Sequence, residues 1–540
     1  MNAPFPLPPC RRQSGFGFFL SLFIVLLAVT TSCTRREPPA DLRIVNGAEP
    51  ESLDPHIITG QPDSRVVLSM FEGLTRFDPE TSEARPGLAE SWDISPDGTT
   101  YTFHLRSNAV WSTGEPITAD DFVYSWIRAL LPQTASDYAG QLFYVKNAEA
   151  FNNGSLTDSN LVGVKALDDR TLQVELENPT AFFLDLCAFQ TLAVVPRQTI
   201  EKYGDRWIKA RPLPVSGAYE LQSWRLNDKI RLRKNPRYWD AANVHCEIVD
   251  FIPSELPYAA LNLFLTGGAD IIWDKSLVPT ELLDVLKQRP DCHVFDYLGS
   301  YFIRCNVTRK PLDDVRVRKA LALAIDKRRI VEKITRAGEK PASALTPRGM
   351  SHYQPPEGLG YNPAEARRLL AAAGYPEGKN FPKFEYLMNT SRANEQVAVE
   401  LQEMWKRELG IEVTLRQAEW KVYLSDMSKT NYDICRSSWV GDYQDPNTFL
   451  DMFKSNNGNN RTGWASPRYD ELVNRANEQT DPKLREKLLR EAETLLVVED
   501  VPIIPLYYYV GICFFDTNRV EGIGFNLLDN HPVGAIRVKR

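Results

Sequence analysis

Hydrophobic and polar residues alternate in several short stretches of the chain. In Thr100–Arg106, polar residues separate the apolar side chains of Tyr101, Phe103 and Leu105. This period of two predicts a strand with one buried face. The stretch Thr118–Leu131 instead has helical spacing, with a threonine that can cap the first turn and two acidic residues after it, which favour a helix N-terminus.

Two longer stretches downstream also have helical spacing. Residues 313–334 place apolar side chains on one stripe and predict a single docked helix. Residues 362–374 begin with Asn-Pro and end with Gly, the residue types that start and stop a helix. Residues 384–389 and 411–420 then read as strands with a helix between them. Strand–helix–strand order predicts an α/β fold.

Length and composition narrow the class of protein. The chain has 540 residues, too many for one hydrophobic core, so two or three domains are expected. Its hydrophobic content of 43% and charged content of 25% are those of a globular protein. The net charge of -7 argues against a nucleic-acid partner, which would require a basic face.

The N-terminus has the features of a targeting segment. Arg11 and Arg12 precede the apolar stretch Gly15–Val29, which is short for a membrane span, and small polar residues and Cys33 follow. This order resembles a bacterial lipobox, although Thr30 stands where leucine is usual. We therefore predict a signal peptide over residues 1–32, a lipid anchor on Cys33, and a polar tether over 33–40. A plain secretory signal is the alternative.

Signatures of catalysis and of metal binding are missing from the sequence. None of the six histidines forms a ligand pair, and the chain has no nucleophile elbow and no phosphate-binding loop. No cofactor and no metal are expected. The six cysteines after Cys33 have no metal-type spacing, so mostly buried thiols are expected. Asp442 and Asp445 could be mistaken for a glycosidase pair, but nothing in the sequence places them across a substrate. A secreted hydrolase remains an alternative function because export and large size suit it, although the chain has no nucleophile motif.

The stretch Ser437–Leu450, "SSWVGDYQDPNTFL", places one carboxylate, Asp442, between Trp439 and Tyr443 and next to Gly441. Aromatic rings beside a glycine suggest a surface that a ligand contacts. The stretch alone leaves open which group this lone carboxylate binds.

Long stretches of the chain resemble one family, the extracytoplasmic oligopeptide-binding proteins of ABC importers (solute-binding protein family 5). These stretches are Ser52–His56 ("SLDPH"), Phe71–Trp126, "VKALDDRTLQVEL", Gly217–Asp240 and Pro311–Lys327. The resemblance implies an α/β fold with two lobes, the type II, cluster C periplasmic-binding-protein fold with an additional inserted domain. It also implies that two crossing strands form the hinge.

The resemblance divides the mature chain into three domains. Domain I is expected to comprise residues 41–70, 193–299 and 511–540. The inserted domain II is expected over residues 71–192. Domain III is expected over residues 300–510. Short peptides would bind between domains I and III.

The resemblance also assigns roles to individual residues. Asp442 corresponds to the aspartate that holds the α-amino group of the ligand. Trp439, Trp420 and Tyr138 match aromatic residues of the pocket. The run Tyr507–Tyr509 lies near the second crossover, where the sequence does not say which ring faces the ligand, and Tyr508 is the candidate.

The carboxylate end of the ligand is assigned to Arg436, whose planar fork suits a carboxylate. Asn394 stands where some members have a histidine, and Thr335 where some have a lysine, so the preferred peptide length is expected to differ. A disulfide of some members would join the positions of Gly299 and Val440, and both cysteines are absent here.

The sequence thus predicts a lipid-anchored receptor outside the cytoplasmic membrane that binds short peptides and delivers them to ABC permease subunits. It is expected to be a monomer without enzymatic activity. A soluble periplasmic form is the alternative location. A receptor specialised for murein peptides is an alternative within the family, and the secreted hydrolase is the alternative outside it.

Overall fold

Strands and helices alternate along residues 37–350, 353–455 and 457–539, which are the residues that the computed structural model describes; the side chains of Thr280, Trp420 and Lys421 lie outside that description. The chain divides into two units, Met1–Ala40 and Asp41–Arg540, and all the elements named below lie in the second. The predicted signal peptide and Cys33 lie outside the described residues.

The strands are, in chain order, β1 (Leu42–Gly47), β2 (Thr75–Phe77), β3 (Ala84–Pro86), β4 (Ala89–Ile94), β5 (Thr100–Leu105), β6 (Val164–Asp168), β7 (Thr171–Glu175), β8 (Tyr219–Arg225), β9 (Lys229–Lys234), β10 (Ile248–Pro253), β11 (Ile271–Ile272), β12 (Cys292–Cys305), β13 (Lys340–Pro341), β14 (Phe384–Asn389), β15 (Val413–Ala418), β16 (Ile434–Val440), β17 (Ile503–Phe514), β18 (Val520–Glu521) and β19 (Arg537–Val538).

The α-helices are α1 (Gln61–Met70), α2 (Ala119–Leu130), α3 (Ala148–Asn152), α4 (Phe183–Leu186), α5 (Arg197–Tyr203), α6 (Pro257–Leu265), α7 (Leu283–Leu286), α8 (Val315–Leu323), α9 (Lys327–Arg329), α10 (Pro363–Ala372), α11 (Arg392–Leu409), α12 (Trp420–Ser428), α13 (Asn447–Leu450), α14 (Pro467–Asn477) and α15 (Pro482–Thr494). None of the described helices combines the length and the apolar character that crossing a membrane requires.

One mixed sheet connects the two lobes. Its strand order is β15-β14-β16-β12-β17-β11-β1-β10-β9-β8, and β13 pairs with β17 outside this path. The long strands β12 and β17 run antiparallel through its middle, with an irregularity in register between Asp296 and Ser300. Before this irregularity in β12, Phe295 packs in one hydrophobic core. After it, Tyr301 packs in a second core. The two strands therefore cross between the lobes.

A separate four-stranded sheet, in the order β4-β5-β7-β6, lies in the region predicted as domain II. The burial of Tyr101, Phe103 and Leu105 on β5 confirms the predicted strand. Helix α2 packs beside this sheet, and the Asp121 carboxylate accepts a hydrogen bond from the Thr118 backbone N–H at its start, at 2.9 Å.

The prediction of a single helix over residues 313–334 is wrong about its continuity. The structure divides it into α8, α9 and a π-helical turn from Ile330 to Thr335. The Asp326 carboxylate accepts a hydrogen bond from the Arg329 backbone N–H at 3.1 Å, so it caps a new helix start in the middle of the apolar stripe. Helix α10 agrees with its prediction, since Asn362 caps it and Gly374 follows it with φ +100°.

The hydrophobic cores group the chain into the regions predicted as domains I, II and III, whose bounds stay a prediction. Several residues pack across those bounds; among them, Ala337 packs with side chains of domain I, and Tyr443 packs in the core of domain II. The six cysteines from Cys187 to Cys513 are free thiols, and five are buried, which confirms the expectation of mostly buried thiols.

Candidate functional site

The loop that follows β16 places Asp442 close to residues of all three predicted domains. Gly441 comes first, and its backbone N–H donates to the Leu298 carbonyl at 2.8 Å. A Cβ at Gly441 would lie 2.5 Å from the Leu298 side chain, so only glycine allows the loop to approach β12 this closely. The Thr448 hydroxyl then accepts hydrogen bonds from the Asp442 backbone N–H at 3.3 Å and from the Trp439 ring N–H at 3.4 Å.

The Asp442 carboxylate has polar neighbours but no cation. The Tyr138 hydroxyl donates to one oxygen and the Gln141 amide to the other, each at 3.4 Å, which is long for a hydrogen bond. Within the described residues no lysine or arginine forms an ion pair with Asp442. Burial raises the pKa of this carboxyl from 3.8 to about 6, and the two hydrogen bonds offset only part of that effect.

A cavity of about 740 Å³ opens beside this carboxylate. Asp442, Val440 and Tyr138 line one end, and Gln61 of α1 and Tyr297 of β12 face them. Its wall therefore combines residues from all three predicted domains. Its volume is typical of a site for a small molecule or a short peptide.

Arg436 lies on β16, on the same face of the strand as Val440 because side chains alternate along a strand. Its guanidinium lies 5.0 Å from the centre of the Tyr301 ring, and one terminal N–H donates to the Tyr509 hydroxyl at 3.2 Å. The Nε atom is buried without a hydrogen-bond partner. No carboxylate pairs with this cation in the part of the chain that the structure describes.

The tyrosine run divides between the two faces of β17. Tyr507 stacks on Tyr301 at 4.7 Å, and Tyr509 lies on the same face beside Arg436. Tyr508 points to the other face, where its hydroxyl bonds the backbone N–H and carbonyl of Ala344, both at 3.1 Å. The structure thus brings Tyr509, which the sequence did not single out, to Arg436.

Of the predicted ligand-binding residues, Asp442 and Tyr138 line the cavity, whereas Arg436, Tyr508 and the remaining ones whose side chains are described do not. Trp439 is half-buried on the opposite face of β16 from Arg436 and packs with the core around Phe449. The Asn394 amide donates to the Asn389 side chain at 2.9 Å, within the turn that joins β14 to α11. Trp420 begins α12, and its side chain lies outside the described residues. Gly299 pairs directly with Val440 across β12 and β16.

The fold and the site together define a class. A mixed sheet with two crossing strands joins two lobes. A cavity lies where the lobes and the predicted inserted domain meet, and its lining includes Asp442, which pairs with no lysine or arginine among the described residues. This is the architecture of a two-lobed binding protein that closes on its solute.

The comparisons with known proteins give the family. The model of bacterial extracellular solute-binding proteins, family 5, matches residues 83–461, and the chain belongs to this family, whose members are transport receptors. It is 36% identical over 506 residues to the periplasmic oligopeptide-binding protein OppA of Salmonella typhimurium, covering 90% of this chain and 92% of that one.

Two further relatives differ in what they bind. The periplasmic murein peptide-binding protein MppA of Escherichia coli is 36% identical over 473 residues, 86% of each chain. The crystal structure of Haemophilus influenzae OppA in complex with the peptide RPPGFSPFR superposes with a TM-score of 0.77 at 33% identity, covering 93% of this chain and 100% of that one. These similarities confirm the predicted two-lobed α/β family fold.

Proposed function

We propose that the protein is the extracytoplasmic receptor of an ABC importer, which encloses short peptides between domains I and III and delivers them to the membrane permease. One observation carries the proposal. Asp442 lacks a cation and Arg436 lacks a carboxylate among the described residues. An ammonium group at one and a carboxylate at the other would neutralise both, and every unmodified linear peptide offers this pair.

The separation of the two charges limits the ligand. Arg436 and Asp442 are six residues apart, and six residues of extended chain span at most about 20 Å. An extended peptide advances about 3.4 Å per residue. Peptides of up to about six residues therefore suit binding at both ends, and longer ones would forgo one of the two contacts.

The proposal includes that the protein leaves its peptides intact. A mixed library of tri- to pentapeptides is incubated with the mature protein, and bound and free masses are followed by mass spectrometry. Retained, uncut peptides support the receptor. Fragments that increase in proportion to added protein would support the secreted hydrolase instead.

A receptor for murein peptides is the second candidate, and the 36% identity to MppA favours keeping it. The unusual linkages of murein peptides would relax the need for Arg436. Competition between murein-derived and ordinary peptides separates the two: a preference for the murein-derived peptides that survives Arg436→Gln would support the specialised receptor.

The location and assembly belong to the same proposal. We infer that Cys33 is lipidated after removal of residues 1–32, so that the protein is held at the outer face of the cytoplasmic membrane as a monomer. One acyl chain anchors a protein only marginally, so several are required for a stable anchor. Its macromolecular partners are the permease subunits that accept the peptide.

A further inference from the structure

Tyr443, the neighbour of Asp442, belongs to domain III but packs in the core of domain II. Its ring is 4% exposed and stacks on Phe182, with the ring centres 4.4 Å apart and the planes 9° from parallel. Its hydroxyl donates to the Asn447 side chain at 3.0 Å and lies 3.5 Å from the Tyr144 hydroxyl.

The loop that presents Tyr443 is rigidly fixed to domain III. Arg485 of α15 donates to both oxygens of Asp445, at 2.7 and 2.8 Å. The Asp445 carboxylate also accepts from the Asn447 backbone N–H at 2.8 Å, at the start of α13. Buried bidentate pairs of this kind hold both partners in one geometry. Tyr443 therefore moves with domain III.

Domain II is fixed to domain I instead. Arg128 of α2 donates to both oxygens of the buried Asp54, at 3.1 and 2.6 Å. The same carboxylate accepts from the Trp207 ring N–H at 2.9 Å, and Arg128 also contacts the His56 ring at 2.8 Å. The contact between Tyr443 and Phe182 therefore joins predicted domain III to domain II, which is fixed to domain I.

We propose that Tyr443 is a positioning residue that couples closure to ligand capture. When domain III closes, the ring enters the core of domain II and brings Asp442 against Tyr138 and Gln141, where the amine of the ligand binds. The contact then opposes reopening and slows release. The inference rests on the proposed peptide-binding function.

The test compares variants on both sides of the contact. Tyr443→Leu and Phe182→Leu each remove the ring stack and keep an apolar side chain, and the double variant removes both rings. Each protein is loaded with the mixed tri- to pentapeptide library and desalted, and the loss of retained peptides is followed by mass spectrometry. Tyr469→Leu is the matched control, since Tyr469 packs on Trp464 inside domain III.

Each single variant is expected to lose peptides at least about tenfold faster than the wild type, because a stacked aromatic pair and the burial of one ring both favour the closed state. The double variant should lose them no faster than about the worse single variant, since all three lack the same contact. Tyr469→Leu should lower the melting temperature and leave the rate unchanged.

Three results would overturn the inference. The first is a Tyr443→Leu protein that retains peptides as long as the wild type. The second is a double variant whose effects multiply, which indicates two independent packing defects. The third is a control whose release rate rises as much. If the wild-type protein retains no peptide at all, the result would instead contradict the proposed peptide-binding function. Should Tyr443→Leu not fold, Phe182→Leu alone decides between the first result and the expected one.

Discussion

Replacing Asp442 by asparagine should stabilise the ligand-free protein and weaken peptide binding at the same time. The change is nearly isosteric and removes only the charge. Burial raises the pKa of this carboxyl from 3.8 to about 6. Below about pH 3.8 the group is protonated in both the folded and the unfolded chain, and the stabilisation that its raised pKa represents is fully present. As the pH rises through 6, that stabilisation is lost.

The magnitude follows from the two pKa values. Each pH unit between them is worth about 1.4 kcal/mol, so the raised pKa of 6 corresponds to at most about 3 kcal/mol at pH 7.5. Asp442 retains some contact with water, which reduces this figure. Removing one partner of a buried ion pair in turn typically costs about 2–5 kcal/mol, or roughly thirty- to several-thousand-fold in affinity.

Two assays measure these effects. Differential scanning calorimetry should show Asp442→Asn melting above the wild type at pH 7.5 and with a much smaller difference at pH 4. Titration calorimetry with free and N-acetylated peptides completes the design. Acetylation and Asp442→Asn should weaken binding alike, and together by much less than the product of the two, because each removes the same contact.

Either of two results would refute the reasoning. If free and acetylated peptides bind the wild type equally, Asp442 does not bind the amino terminus. If Asp442→Asn melts below the wild type at pH 7.5, the carboxylate has a stabilising partner in the ligand-free protein, and its pKa is not raised.

Three further predictions concern the same site and the anchor. The affinity of the wild type for free peptides should fall about tenfold per unit as the pH decreases below 6, while Asp442→Asn shows no such slope, which titration calorimetry at several pH values measures; a parallel slope in both proteins would contradict the assignment. Arg436→Gln should weaken the binding of peptides with a free C-terminal carboxylate by roughly thirtyfold or more and leave the affinity for C-terminally amidated peptides almost unchanged. Equal losses of affinity for both kinds of peptide would mean that Arg436 only supports the Tyr301 and Tyr509 rings. The intact mass of membrane-extracted protein should equal a chain that begins at an acylated Cys33, and a soluble product that begins elsewhere would exclude the anchor.

Local patterns in the sequence predicted the elements whose causes are local. The alternation in β5 and the caps of α2 and α10 need only neighbours along the chain, and the structure agrees with them. The break between α8 and α9 was missed although its signal, Asp326, lies in the sequence. The apolar stripe on both sides of Asp326 favours one continuous helix more strongly than a single capping residue indicates a break.

The site assignments that the sequence left open depend on register. Neighbouring side chains of a strand point to opposite faces, so a choice between Tyr508 and Tyr509 requires the pairing of β12 with β17. That pairing contains irregularities between Asp296 and Ser300 and between Tyr301 and Phe302, which no alternation pattern reveals. The sequence did not indicate Gln141, because its contact with Asp442 joins residues 301 positions apart and depends on the fold.

The geometry around Asp442 explains why a receptor would keep a carboxylate that destabilises its empty form. Its two neutral donors lie at 3.4 Å, too far to compensate fully for the loss of water. A bound ammonium would supply the missing charge, so the cost of burying Asp442 in the closed arrangement without a ligand becomes part of the difference in free energy that lets the ligand favour closure. A lysine or arginine placed there would remove that difference. The absence of a resident cation beside Asp442, within the described residues, is therefore what makes an amine-bearing ligand able to select the closed state.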